Sequence, residues 1–194
     1  MARIGFKKAK YNKIVGDKYD ALKAENKVPV FEKVVDEKFA PEYNSAELYA
    51  NDGLAETDYS FKKGTLSLTI TDDDDKFIAE LFGNTVNGEG TEVTSSIEDT
   101  APEFGYGHIV PKMVGGVRQF KVEFFPRVKF TKVTTDNKTR GESVEFGTTA
   151  LEGTVMPLET AVNGMAIGVW EKHRTFASLT EAETYLDELL TPVA

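Results

Sequence analysis

Apolar residues recur at every second position along most of this chain, and that spacing decides its fold class. In "GTLSLTIT" (64–71) Leu66, Leu68 and Ile70 fall on one side of an extended strand and Thr65, Ser67, Thr69 and Thr71 on the other. In "RQFKVEFFPRVKFT" (118–131) Phe120, Val122, Phe124, Val128 and Phe130 are expected on one face, with Gln119, Lys121, Glu123, Arg127, Lys129 and Thr131 opposite. Successive side chains of a strand point to opposite faces, so this pattern builds half-buried sheets. Pro126 cannot donate to a ladder and predicts a bulge or an edge position. "ESVEFGTTA" (142–150) and "GMAIGVWEK" (164–172) read as further strands. The second is apolar on both sides (Met165, Ile167 and Val169 against Ala166 and Trp170), which predicts a covered, central strand. Gly115–Gly116 lies between two strand patterns and predicts a hairpin turn.

Two segments change period. Phe77, Ile78, Leu81 and Phe82 make a helical stripe closed by Gly83, the usual residue past a helix C-terminus. In "SLTEAETYLDELLTP" (178–192) Ser178 and Glu181 fit a capping box, Ala182, Leu186 and Leu189 share a face, and Pro192 ends the segment. "GNTVNGEGTEV" (83–93) reads as the most flexible loop. The expected product is one domain over 1–194, mainly β, an antiparallel sandwich or barrel with a flanking helix and a short C-terminal helix.

The string "DDDDK" (72–76) precedes the first helical stripe. It matches the recognition sequence of a tag-removing protease, but it is internal and embedded between a strand and a helix. As a calcium loop it lacks ligands at alternate positions, a central glycine and a closing glutamate. As a helix start it makes sense, because carboxylates there meet free backbone N–H groups and the positive end of the helix dipole. Asp72 or Asp73 is the expected N-cap.

Charge is segregated. The net charge is −9, and residues 72–103 hold ten acidic side chains against one basic. Residues 1–38 hold ten basic and six acidic side chains. A protein that grips nucleic acid shows a basic working face, so this balance opposes ordinary DNA binding. The chain has no cysteine, which removes disulfide and thiolate chemistry and fits a reducing compartment. No apolar run approaches the ~20 residues of a membrane helix, and "ARIGFKKAKYNKI" is too polar for a signal peptide. A soluble, cytoplasmically made protein is expected.

Catalytic patterns fail individually. The two histidines, His108 and His173, sit in no ligand spacing and are expected at a surface or an interface. "GESVE" (141–145) ends in Glu145 where a nucleophile elbow needs glycine. "GYGHIV" (105–110) has Val110 at the third glycine position of a dinucleotide loop and no helix after it. No catalytic residue, metal site or cofactor is expected.

Several stretches, taken in order, carry a resemblance. They are "SAELYANDGLAETDYSFKKGTLSLTITDDDDKFIAELFG" (45–83), "FGYGHIVPKMVGGVRQFKVEFFPRVKFTKV" (104–133), "RGESVEFGTTALEGTV" (140–155) and the acidic C-terminal helix. Together they resemble the major tail tube protein of long, non-contractile-tailed bacteriophages of Gram-positive hosts. The resemblance runs over about residues 30–190, and the basic N-terminal segment 1–30 matches less clearly. It implies a β-sandwich with a flanking helix, shared with the tubes of contractile tails and type VI secretion. It also implies hexameric rings of this chain stacked into a tube. The implied partners are a tape-measure protein inside the tube, a tail terminator and a distal tail protein. Genomic DNA would pass through without specific binding, which an acidic lining favours. The implied location is the virion tail, with assembly in the host cytoplasm.

In that frame residues 39–61, "FAPEYNSAELYANDGLAETDYSF", are expected to form a long excursion used in ring stacking, with two short strands as the other reading. Pro41, Asn44, Asn51, Asp52 and Gly53 punctuate the segment. Tyr43, Leu48, Tyr49, Leu54 and Tyr59 are the candidate contacts, more apolar surface than a free loop should expose. The acidic segment 72–103 is expected either to line the tube or to meet the basic N-terminal stretch between rings. A rival from another class is a carbohydrate- or receptor-binding β-sandwich module of a phage particle, with Tyr43, Tyr49, Tyr59 and Tyr106 as its aromatics.

Overall fold

The computed structural model describes residues 2–3, 5–22, 27–31, 33–50, 53–71, 74–88, 92–136 and 148–193. Among the described residues there are eleven strands: β1 (Ala2–Arg3), β2 (Lys7–Val15), β3 (Lys18–Tyr19), β4 (Val34–Ala50), β5 (Gly53–Ile70), β6 (Thr85–Asn87), β7 (Glu92–Thr94), β8 (Glu103–Val114), β9 (Val117–Asp136), β10 (Thr148–Val155) and β11 (Lys172–Phe176). Helix α1 (Asp75–Phe82) follows β5, and helix α2 (Leu179–Leu190) closes the chain. The fold is mainly β, with antiparallel pairing and two helices, as the sequence predicts.

The large sheet runs β3-β2-β8-β9-β10-β5-β4, with β1 added to β8 and β11 to β9. It then curls onto itself. Just before β4, Val30 bridges Lys10 of β2, supported by Tyr11 N–H to Pro29 O at 3.1 Å and Phe31 N–H to Ala9 O at 2.8 Å. Side chains report the same closure. β8 and β4 stand four places apart in the sheet, which would separate them by ~19 Å if the sheet were flat. Yet the Tyr106 hydroxyl of β8 donates to Glu37 Oε2 of β4 at 2.8 Å. The sheet is therefore a barrel with an interior.

Leu66, Leu68 and Ile70 of β5 point into that interior and are fully buried, as their spacing predicts. The Gly115–Gly116 turn is also as predicted. Val114 pairs with Val117, and both glycines have positive φ, 57° and 81°, the backbone of a two-residue hairpin turn.

The bulge at Pro126 forms and has a consequence for β9 that the alternation hid. Phe104 pairs with Val128 and Tyr106 with Phe125, so β9 carries one residue more than β8 across this stretch. An extra residue reverses which side each later side chain faces. The single face expected for Phe120, Val122, Phe124, Val128 and Phe130 is therefore split. Phe120, Val122 and Phe124 lie outside the barrel with Ile109, under Leu186 and Leu190 of α2. Val128 and Phe130 lie inside, with Phe125, Leu66 and Leu151.

The segment 164–171 is not a central strand. Gly164 and Gly168 hold positive φ, Val162 and Met165 form a tight bridge, and Ile167 is 69% exposed. Its apolar run is too short to tell a covered strand from a folded-back loop, and its two glycines favour the loop. The strand here is β11, which pairs with β9. Residues 83–93 likewise are not simply a loop, because β6 and β7 pair within them. Of the "ESVEFGTTA" strand, 142–147 lie outside the described residues and β10 supplies the rest.

Helix α1 caps through Asp74, whose carboxylate accepts from Lys76 N–H at 3.0 Å. Asp72 and Asp73, the expected caps, lie outside the described residues, and the cap position belongs to Asp74. Gly83, with φ of 73°, ends the helix and returns its N–H to Ala79 O. Phe77 of α1 meets Phe31 edge-on at 4.8 Å, which seals the core on this side. Ser178 takes the N-cap position of α2, but its hydroxyl makes no capping hydrogen bond, so the capping box does not form. The buried face of α2 is Ala182, Leu186 and Leu190, with Leu189 half-buried beside it.

Candidate functional site

β5 is flanked by β10 only from Ile70 to Gly64. Its pairing with β4 continues well past that point, from Glu42↔Lys63 out to Ala50↔Gly53. About nine residues of β4 therefore lie in a two-stranded ribbon beyond the barrel, a reach of ~30 Å at ~3.4 Å per residue. Residues 41–46, 57–60 and 62–63 are exposed. The excursion expected over 39–61 is present, built of paired strands in place of a free loop or two short strands, with 51–52 outside the described residues. It is the outer part of one long hairpin arm. Pro41 misled the sequence reading, because proline is tolerated on an edge strand, where no neighbour needs its N–H, and β4 is the edge of the sheet path.

The arm has a differentiated face. Tyr43 lies opposite Phe61 and Ser45 opposite Tyr59, so Tyr43, Tyr59 and Phe61 share one side. Tyr43 is 52% and Tyr59 63% exposed. From them a line of rings runs back into the barrel. Tyr43 meets Phe61 edge-on at 6.0 Å, Phe61 stacks on Trp170 at 4.0 Å, and Trp170 stacks on Phe39 at 6.1 Å. Phe39 then packs on the buried Phe125 at 4.6 Å. The skipped pairing at Lys62 keeps Phe61 on the side of Phe39 and Leu66. The other candidate contacts are placed by backbone alone: Leu48 pairs with Glu56 and Tyr49 with Leu54, and their side chains lie outside the described residues.

At the root of the arm is a polar cluster that the sequence reading missed. His108 was expected at a surface or interface and is instead 4% exposed, inside the barrel. Its Nδ1 lies 3.1 Å from Glu37 Oε1 of β4, off the line of a good hydrogen bond, and its Nε2 lies 3.4 Å from Glu123 Oε2 of β9. Lys121 Nζ donates to Glu123 Oε1 at 2.7 Å. Burial alone would raise the Glu123 pKa, but hydrogen bonds from His108 and Lys121 outweigh it and hold the carboxyl at about 2. Burial, then the charge and hydrogen bond of Glu37, push the Tyr106 hydroxyl upward, so it remains a donor. The cluster lines a cavity of about 380 Å³ that Phe6, Asp36 and Glu171 also border. His173, by contrast, has a largely exposed side chain, 3.5 Å from Glu171.

The alternation places Lys121 and Glu123 on one face with Arg127, Lys129 and Thr131. The bulge at Pro126 puts them on the same side as Phe125, which is the interior. The signal lay in the pairing His108↔Glu123, visible only once the register is known.

Chemically, the cluster ties β4 to β8 through the Tyr106–Glu37 hydrogen bond and sets Lys121 against Glu123 on β9. Among the described residues no group of three His, Cys, Asp or Glu side chains is placed to hold a metal ion, and no helix is long and apolar enough to cross a membrane. In comparisons with known proteins, the chain matches no family model and none of the curated proteins.

Proposed function

We propose that the chain is a self-assembling structural subunit, and that it forms the tail tube of a long, non-contractile-tailed phage as stacked hexameric rings. The observation that carries this reading is the hairpin arm. A two-stranded ribbon standing alone in water is marginally stable, and its edges are templates for pairing with another chain. This arm reaches ~30 Å past the barrel and presents Tyr43 and Tyr59 on the side continuous with the core. Such an arm gains stability by lying on a second surface, and a neighbouring copy supplies that surface at every position in a polymer. The acidic balance of the chain supports a conduit that releases DNA. A tape-measure protein within the tube, and terminator and distal tail proteins at its ends, complete the proposed set of partners.

The test removes the arm. Residues 44–60 are replaced by Asn-Gly, which joins the paired Tyr43 and Phe61 through a favoured hairpin turn. The full chain should form rings or tubes in electron micrographs at high concentration, while the armless chain keeps its melting profile and sediments as monomer. Tubes from the armless chain would remove the arm from the assembly. A full chain that stays monomeric at every concentration would overturn the proposal and favour the carbohydrate- or receptor-binding module.

A further inference from the structure

We infer that two features outside the arm form a knob and a socket that join neighbouring copies of this chain. The inference rests on the self-assembly proposed above and names a contact within it.

The knob is the turn Ser96–Asp99. Ile97 at its tip is fully exposed. A single exposed apolar residue is ordinary, but this one sits on a turn held by three hydrogen bonds. Asp99 Oδ2 accepts from Ser96 N–H at 2.7 Å, Ser96 Oγ accepts from Glu98 N–H at 3.3 Å, and Asp99 N–H donates to Ser96 O at 3.1 Å. The turn is thus preformed, and Glu98 puts a negative charge next to the isoleucine. Preformed contacts lose little freedom on binding.

The socket is a recess of about 340 Å³ at the start of β2. Phe6, Val30 and Phe31 give it an apolar lining, and Lys7, Lys8 and Lys33 rim it with positive charge. Lys8 also stands 3.8 Å from Glu183 of α2. Lys8 and Lys33 have φ of 53° and 54°, a left-handed backbone that few non-glycine residues adopt. Such outliers persist where the surroundings over-determine them and concentrate at working surfaces. Here they follow from the bulge of β2 after Lys7 and from the chain's entry into β4.

Polarity and charge match. An isoleucine flanked by a carboxylate fits an apolar recess rimmed by ammonium groups. One copy does not fill its own socket. Lys33 O accepts from Thr71 N–H, just ahead of α1, while Gly83 at the far end of α1 lies against Thr100. The eight residues of α1, ~12 Å of helix, stand between the two features. A contact between two different patches is heterologous, and repeated in one sense it closes a ring or extends a stack.

Because the chain has no cysteine, the contact can be trapped cleanly. Ile97→Cys chains are mixed with tagged Val30→Cys chains under oxidation, and the mixed disulfide is measured in both the polymer and the soluble fractions. The control replaces Val30→Cys by Ile167→Cys, an exposed position elsewhere. The 97–30 disulfide should form in clear excess over 97–167. Independently, Glu98→Lys should raise the concentration needed for assembly about tenfold, by turning an attraction into a repulsion. Adding Lys7→Glu to the same chain should restore most of it, and high salt should weaken the unmodified assembly. Polymers with no excess of the 97–30 disulfide and no rescue would overturn the knob and socket and leave the tube reading intact. A trapped 97–30 pair without polymers would uphold the contact and remove the tube. Monomer throughout, with no trapped pair, would overturn both.

Discussion

Acid should strip out the stabilisation that Glu123 supplies, and replacing it by glutamine should abolish that response in advance. The folded pKa of Glu123 lies at about 2 against 4.5 for the free group. A carboxyl lowered by folding stabilises the native state fully above 4.5 and loses that contribution as pH falls toward 2. At about 1.4 kcal/mol per unit the whole effect is about 3 kcal/mol, of which about 2 is gone by pH ~3. In Glu123→Gln the charge facing Lys121 and His108 is absent at every pH. Removing one partner of a buried ion pair leaves the other uncompensated, a loss of about 3 kcal/mol near neutral pH. Urea unfolding of both chains, from neutral pH to about 3, gives two stability curves. Other carboxyls titrate in both, so the difference between the curves isolates this group. The gap should be widest near neutrality and shrink by about 2 kcal/mol by pH ~3. Parallel curves with a constant gap would refute the reasoning, because they would mean that Glu123 has the same pKa folded and unfolded.

The cap and the arm give two more expectations. Asp74→Ala should lower stability by about 1 kcal/mol, while Asp74→Asn should be nearly neutral because asparagine caps about as well. Equal losses in thermal melts would deny Asp74 its capping role, and a calcium-dependent rise of several degrees would make the segment a metal site. Trp170 is the sole tryptophan and stacks on Phe61 at 4.0 Å, so its fluorescence reports how the arm is anchored. Phe61→Ala should shift its emission to the red and destabilise by about 1–2 kcal/mol. Unchanged emission would show that the stack is not what shields the indole.

The sequence by itself determined the material of this fold. Two-fold alternation made strands of 64–70 and 118–131, because a pleated backbone offers opposite faces whatever it later packs against. Gly115–Gly116 and Gly83 marked a turn and a helix end, because the backbone angles needed there are local and glycine alone adopts them freely. The stripe at Phe77–Phe82 and the one in α2 were legible for the same reason: one helical turn is set by neighbours in sequence. The tertiary structure decided what faced what. The bulge at Pro126 was foreseeable, but its effect was not, since one extra residue turned Lys121 and Glu123 inward and separated Phe124 from Phe130. His108 became a buried neighbour of Glu37 only because barrel closure brought β4 across to β8, and no local pattern encodes a contact between residues 71 positions apart. The segment 39–61 showed the same limit from the other side. Pro41 and Asn44 forecast turns there, but on an edge strand neither residue breaks a ladder, and the long pairing with β5 prevailed. Local chemistry fixes periodicity and turns; register and closure depend on pairings between distant segments, whose free energy is realised only when the whole sheet forms.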